Sequence, residues 1–152
     1  MITPTEAVGA AARGLERTDA GRRAAAGAQA GTPRLVRRLD ASGRDYYLVP
    51  WEDSRGVVAI VHVDGASGEM ASMVVLPIAV MRVIPTPDEA RRAVANSLGQ
   101  SPAGALELVW RPCRESASPF QPLYRVPLAD GEAFVAVSGS VHRELTPFGK
   151  GG

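Results

Sequence analysis

The chain has one cysteine, Cys113, and two histidines, His62 and His142. A single cysteine excludes an internal disulfide framework. Two histidines about 80 residues apart leave a metal site short of ligands at a workable spacing. Aromatic residues are only 5% of the sequence, and none interleaves with the arginines Arg13, Arg17, Arg22 and Arg23. That basic stretch therefore lacks the stacking surfaces of a nucleic-acid binder and reads as a solvated helix face. A net charge of +1 gives no strong pull towards nucleic acid or acidic lipid. The longest apolar run, Met70–Ile84, is broken by Pro77 and Arg82 and is too short to cross a bilayer. The start has no charged segment followed by a leucine-rich run, and Glu6 interrupts it, so a secretory leader is not expected. The expected location is cytoplasmic, or extracytoplasmic if a leader has been removed.

What is present is a pattern stated twice. Thr3-Pro4-Thr5-Glu6-Ala7 returns as Thr86-Pro87-Asp88-Glu89-Ala90, and Tyr47-Leu48-Val49-Pro50 returns as Tyr124-Arg125-Val126-Pro127. Each Tyr-x-Val-Pro is followed by a second apolar run, Val57–Asp64 and then Ala133–Val137. A recurrence at about 80 residues reads as a duplicated unit. The 152 residues suffice for one domain or for two small halves sharing a core. The expected class is α+β: two similar helix-plus-antiparallel-sheet halves packed together. The expected boundaries are a first repeat over residues 1–77, a bridge over 78–85, a second, degenerate repeat over 86–146 and a flexible tail over 147–152.

Each repeat opens with a capping box, Thr3 with Glu6 and Thr86 with Glu89, and a proline at the first helical position. Ala7, Ala11 and Leu15 form one helical stripe; Ala90, Val94 and Leu98 form the other, and Gly99 is a fitting stop. Residues 18–33 are rich in Ala, Gly and Arg and are expected to be a weakly ordered insertion that the second copy lacks. Strands then follow at Leu35–Leu39, Asp45–Trp51, Val57–Asp64 and Glu69–Leu76. Their counterparts are Ala105–Arg111, Gln121–Leu128, Glu132–Val137 and Val141–Leu145, with Pro112–Pro119 as a surface loop. The turn Asp40-Ala-Ser-Gly43 ends the first strand. Alternation from Leu106 to Trp110 predicts one wet face. In Val57–Val63 the odd positions line one side, and Val58, Ile60 and His62 the other, so this strand needs cover on both faces, from the second copy or from another subunit. Pro50 and Pro127 cannot donate to a ladder and are expected at an edge or a bulge.

No catalytic set emerges. Cys113 between Arg111 and Arg114 reads as an ordinary loop thiol, and nothing in the spacing favours a Cys113–His142–Glu144 triad. Glu52-Asp53 is a solvated turn, and Gly65-x-x-Gly68 is too short for a phosphate loop. His62 in an apolar strand is a core imidazole or, in a pocket, a titratable group of interest. Tyr47, Trp51, Trp110 and Tyr124 are core packing, or, beside an open strand edge, contacts for an added peptide.

The run Val61-His62-Val63-Asp64-Gly65-Ala66-Ser67-Gly68-Glu69 resembles the end of a PepSY domain, where an apolar strand finishes in Val-Asp, turns through Ser/Thr-Gly and returns with Glu or Lys. The upstream order of Ala-rich helix, strand and Tyr-x-Val strand is similar too, over roughly residues 3–76 and, more weakly, 86–145. In the second copy the hairpin has decayed to Val137-Ser138-Gly139-Ser140. The resemblance implies a tandem, non-catalytic module of the kind found in propeptides and in secreted or membrane-linked bacterial proteins, associated with peptidase inhibition or regulation. The chain departs from that pattern in showing no export signal, attached peptidase or membrane helix.

The leading expectation is a non-enzymatic peptide- or protein-binding module with Tyr47, Trp51, Trp110 and Tyr124 at the contact, with no cofactor, metal, nucleic acid or membrane. The alternative is a small enzyme or accessory factor of a bacterial biosynthetic pathway, with a ligand pocket between helix and sheet near His62. A third is a homodimer whose second copy covers the doubly apolar strand.

Overall fold

A computed structural model describes residues 1–40 and 44–149. Most of the turn after Asp40 and the Lys150–Gly152 end of the tail lie outside the described residues. Among the described residues, three helices and nine mostly antiparallel strands make an α+β protein. The chain divides into two compact units, Met1–Val36 with Ser42–Val83, and Arg37–Ala41 with Ile84–Gly152.

The first unit opens with helix α1 (Pro4–Leu15), capped by Thr3. The Glu6 amide donates to Thr3 Oγ1 at 3.2 Å and the Thr3 amide to the Glu6 carboxylate at 2.6 Å, which satisfies two amides the helix leaves unpaired. Helix α2 (Asp19–Ala25) and strand β1 (Gln29–Ala30) follow, so the Ala/Gly/Arg stretch is ordered, against expectation. Thr18 caps α2 through the Gly21 amide at 2.9 Å. Gly21 is required for a close approach: a methyl there would overlap the Leu15 carbonyl. The glycine that weighs against helix by propensity here lets the second helix turn tightly off the first. Ala24, Ala25, Ala28 and Ala30 then pack on the core under α1.

Strands β2 (Arg34–Arg38), β3 (Tyr46–Asp53), β4 (Gly56–Asp64) and β5 (Met70–Val80) form an antiparallel series in which β5 pairs with β4, β4 with β3, and β3 with β2 and β1. Under α1 lie Ala7, Ala11 and Leu15 from the helix and Tyr47, Val49, Ala59, Val61 and Val63 from the strands. Ile60 on the opposite face of β4 is buried as well, and His62 is half-buried. Val58 does not follow them. The β3 register shifts between Trp51 and Glu52, which pair with Ala59 and Val57, so Val58 is an extra residue that turns into the cluster under the helices.

The second unit repeats the order. Helix α3 (Pro87–Leu98) carries the same capping box at Thr86 and Glu89, and Gly99 ends it at φ 65°, a conformation that costs glycine little. Strands β6 (Glu107–Trp110), β7 (Leu123–Leu128), β8 (Gly131–Val135) and β9 (Val141–His142) pair antiparallel in chain order. Arg37 and Arg38, the end of β2, pair parallel to Val109 and Trp110 of β6. Leu108, Val109 and Trp110 are all buried, so the expected wet face of β6 is absent at those positions. Among the described residues this unit has no counterpart of α2 or β1.

The prolines are not on outer strands. Both Pro50 and Pro127 sit in strands with neighbours on each side. The Pro50 carbonyl accepts from the Gly31 amide at 2.8 Å and the Pro127 carbonyl from the Ala103 amide at 2.7 Å. In an antiparallel ladder a residue's N–H and C=O point to the same side. The missing N–H of each proline therefore faces the same segment as its carbonyl, the stretch between β1 and β2 in the first unit and the stretch before β6 in the second, where no regular ladder needs it.

Candidate functional site

The four aromatic side chains expected at a partner surface are interior. Tyr47, Trp51, Trp110 and Tyr124 are between 2% and 7% exposed. Their positions explain it. Tyr47 and Tyr124 face the helix of their unit, and each hydroxyl donates to the carbonyl just before the helix cap: Tyr47 to Ile2 at 3.2 Å, Tyr124 to Pro85 at 2.6 Å. The Tyr-x-Val-Pro motif is thus a clamp that fixes where the helix enters. Trp51 pairs with Ala30 on one side and Ala59 on the other, and the small neighbours leave room for its ring. Trp110 donates through Nε1 to Ser116 Oγ at 3.2 Å, and the Arg38 guanidinium lies 4.8 Å from its ring centre. Ser116 Oγ in turn donates to the Gln121 carbonyl at 2.5 Å, which pins the 111–121 loop. A buried tryptophan needs a partner for its one donor, and the loop supplies it.

His62 is half-buried, its ring centre 4.2 Å from that of Tyr46 and tilted by 45°. It lies beside Leu48 and Ser72 on neighbouring strands. Cys113 is fully buried, its Sγ donating to the Ser116 carbonyl at 3.6 Å, and burial pushes its thiol above the ordinary range. A thiol held neutral is a poor nucleophile. His142 Nε2 is 3.0 Å from Ser140 Oγ. The Cys113–His142–Glu144 triad is not assembled. Among the described residues no group of three His, Cys, Asp or Glu side chains is placed to hold a metal, and no helix is long and apolar enough to cross a membrane.

The longer of the two outer strands is β5. Among the described residues this strand pairs only with β4. Ser72, Met73, Val74 and Val75 run in regular register opposite His62, Val61, Ile60 and Ala59. Beyond them Val80 pairs with Val57, so Leu76–Ala79 together oppose Val58 and bow away from the ladder at Pro77. Before them one extra residue, Ala71, separates the pairs of Met70 and Ser72. A flat stretch of strand is left between two bulges. Its surroundings are apolar: Val75 is 43% exposed, Ile78 78% and Met81 83%. Such an edge is a template for another strand unless it is charged, and no charged side chain lies between Met70 and Met81.

A groove of about 320 Å³ runs beside this edge. Ala20, Ala24 and Ala26 line it from the α2 side; Val75, Leu76 and Ala79 line it from β5. The small side chains of α2 leave the space that larger ones would fill. Arg23 and Arg55 also line the groove. Arg55 is paired to Asp53 at 2.7 Å, and this guanidinium lowers the Asp53 carboxyl below its usual range. Arg23 carries its charge with no ion pair among the described residues. The sequence held a signal for this site in its longest apolar run, Met70–Ile84, but Pro77 made the second half read as a bridge.

Comparison with protein-family models, with characterised proteins and with solved structures finds no match to this chain.

Proposed function

We propose that this protein is a non-catalytic, PepSY-like module that binds an extended segment of a partner protein. The segment adds as a strand to β5 along Ser72–Val75. One of its alternate side chains enters the groove between α2 and β5, and an acidic residue meets Arg23. The observation that carries this reading is the eleven-residue apolar outer strand, regular at its centre and flanked by a groove. Backbone hydrogen bonds would supply affinity and the groove would supply choice of side chain. The resemblance of the Asp64–Glu69 hairpin to PepSY domains supports a regulatory role rather than a chemical one. The interior between α1 and its strands is filled by Ala7, Ala11, Leu15, Val49, Val61 and Val63, each without exposed surface, which counts against a ligand pocket between helix and sheet.

The test is display selection of ten-residue peptides, followed by fluorescence anisotropy of the selected peptides. Val75→Lys places a charge on the open edge and is expected to abolish binding. Arg23→Glu is expected to weaken acidic peptides about tenfold, the scale of one charged contact. Unchanged binding in Val75→Lys overturns the β5 site. A dimer in sedimentation that Val75→Lys converts to a monomer puts a second copy on this edge instead.

A further inference from the structure

We infer that the helix-free face of the second unit is a binding site for a small organic anion, a carboxylate or phosphate monoester attached to an apolar body. The cleft is separate from the β5 edge, measures about 370 Å³ and is lined by residues of this unit alone. Its apolar walls are Leu39, Phe134 and Leu145, of which Phe134 and Leu145 are each 6% exposed. Its cations are Arg111, Arg125 and Arg143. Glu132 and Glu144 also line it.

The arrangement follows from the strands. Arg125 on β7 sits between Glu107 on β6 and Phe134 on β8, so one cross-strand row carries a carboxylate, a guanidinium and a ring. Arg125 bonds Glu107 and is held in place. Arg111, just past β6, donates to the Leu145 carbonyl at 2.7 Å. The Leu145 segment is itself strapped down. The Arg114 amide donates to the Thr146 carbonyl at 2.9 Å, and the Thr146 amide and hydroxyl donate to Glu115 at 2.8 and 2.7 Å. Arg125 and Arg111 are therefore positioned before any ligand arrives.

The three guanidinium groups are not equally satisfied. Arg125 pairs with Glu107, which also meets Arg37 at 3.6 Å. Arg143 pairs with Asp130 at 3.1 Å, but both partners are largely exposed, so the pair opens at little cost. Arg111 has no carboxylate partner among the described residues, and its Nε is buried with no hydrogen-bond partner. The buried Nε is closed to a ligand, so the uncompensated Arg111 charge is offered to the cleft through its terminal nitrogens, of which, among the described residues, only Nη2 is engaged, by the Leu145 carbonyl. The planar fork of a guanidinium matches a carboxylate or a phosphate. Phe134 beside it offers an apolar surface, and Glu132 and Glu144 favour the singly charged carboxylate over the mostly dianionic phosphate monoester.

The probes are benzoate and phenyl phosphate, with benzyl alcohol as the neutral control, titrated into the full chain and followed by amide chemical shifts. Saturable binding at millimolar concentration is expected for the anions, with shifts at Arg111, Phe134 and Arg143 and none of that kind for the alcohol. Preference between the two anions identifies the acid group. Arg143→Gln leaves the Arg111–Leu145 bond intact and is expected to weaken binding several-fold; Arg111→Gln is expected to weaken it about tenfold or more. Equal shifts with benzyl alcohol, or wild-type affinity in Arg143→Gln together with an unchanged thermal melt, overturn the site.

Discussion

The first unit ends in an outer strand of eleven residues; the second ends in one of two. The two units otherwise use the same devices at matching places. A Thr/Glu box starts α1 and α3, a tyrosine hydroxyl holds the carbonyl before it, and a proline carbonyl takes an amide from the stretch that leads into β2 or β6. The shared devices each pair a donor with an acceptor that the helix end or the strand would otherwise leave unmatched. The differences lie in α2 and β1, which the first unit alone has among the described residues, at the outer strand, and on the helix-free face. In the first unit they give an apolar edge beside α2. In the second they give a charged cleft beneath Arg111. A common framework with divergent surfaces is what two binding roles on one scaffold require.

The helix stripes give the largest expected break in the comparison. Ala7, Ala11 and Leu15 of α1 occupy the places of Ala90, Val94 and Leu98 of α3. Leu15 has no exposed surface, whereas Leu98 is half-buried. Leu15→Ala should cost about 3–5 kcal/mol, because it removes a fully buried side chain and leaves a cavity. Leu98→Ala should cost about 1 kcal/mol, since water already reaches the site. Urea denaturation of the two variants measures the difference. Equal losses would mean that the two helices are anchored alike, and the asymmetry drawn from burial would fail.

Much of this framework was legible in the residues. The capping boxes, both helix stripes, the α+β class and most strands follow from short-range chemistry that leaves a mark at fixed spacing. Three things were not legible. The order of residues 18–33 depends on Gly21 meeting the Leu15 carbonyl, a contact between two helices that no propensity encodes. The place of Val58 depends on a bulge, and a one-residue slip moves a side chain to the other face. The roles of Tyr47, Trp51, Trp110 and Tyr124 depend on which strands are inner. An aromatic in an amphipathic strand reads the same whether it packs inward or faces outward, and the expected edge at the prolines is an inner position, whereas β5 is an outer strand.

The tyrosine clamps sharpen the comparison at a smaller scale. Tyr47→Phe and Tyr124→Phe keep the ring in the core and delete one hydroxyl, leaving the Ile2 or the Pro85 carbonyl without that donor. Each should lose about 1–2 kcal/mol. The Tyr124 bond is the shorter, 2.6 Å against 3.2 Å, so Tyr124→Phe should lose the more. Thermal or urea unfolding reports both. A larger loss in Tyr47→Phe would reverse the ranking.

The smallest effect separates the two hairpins by pH. In the first unit Asp64 Oδ1 accepts from the Ala66 amide at 2.7 Å and the Ser67 amide at 2.9 Å, and Arg44 lies 3.6 Å away. The Ser67 amide, with the Ala66 amide and the Arg44 charge, lowers the Asp64 carboxyl below its ordinary value. A carboxylate whose folded-state value is depressed contributes stability above its unfolded value, about 4, and that contribution is lost as pH falls through the folded value. The corresponding turn of the second unit uses Ser138, whose Oγ accepts from the Ser140 amide at 3.4 Å and carries no charge to lose. Hydrogen exchange of the Ala66 and Ser67 amides, corrected for intrinsic rates, should therefore lose protection as pH falls below about 4, while that of Ser140 stays level. Asp64→Asn should keep the turn and remove the pH dependence, because the amide oxygen still accepts both bonds but does not titrate. Protection at Ala66 and Ser67 that is flat across this range, or an Asp64→Asn variant that still responds to acid, would show that some other carboxylate governs this hairpin.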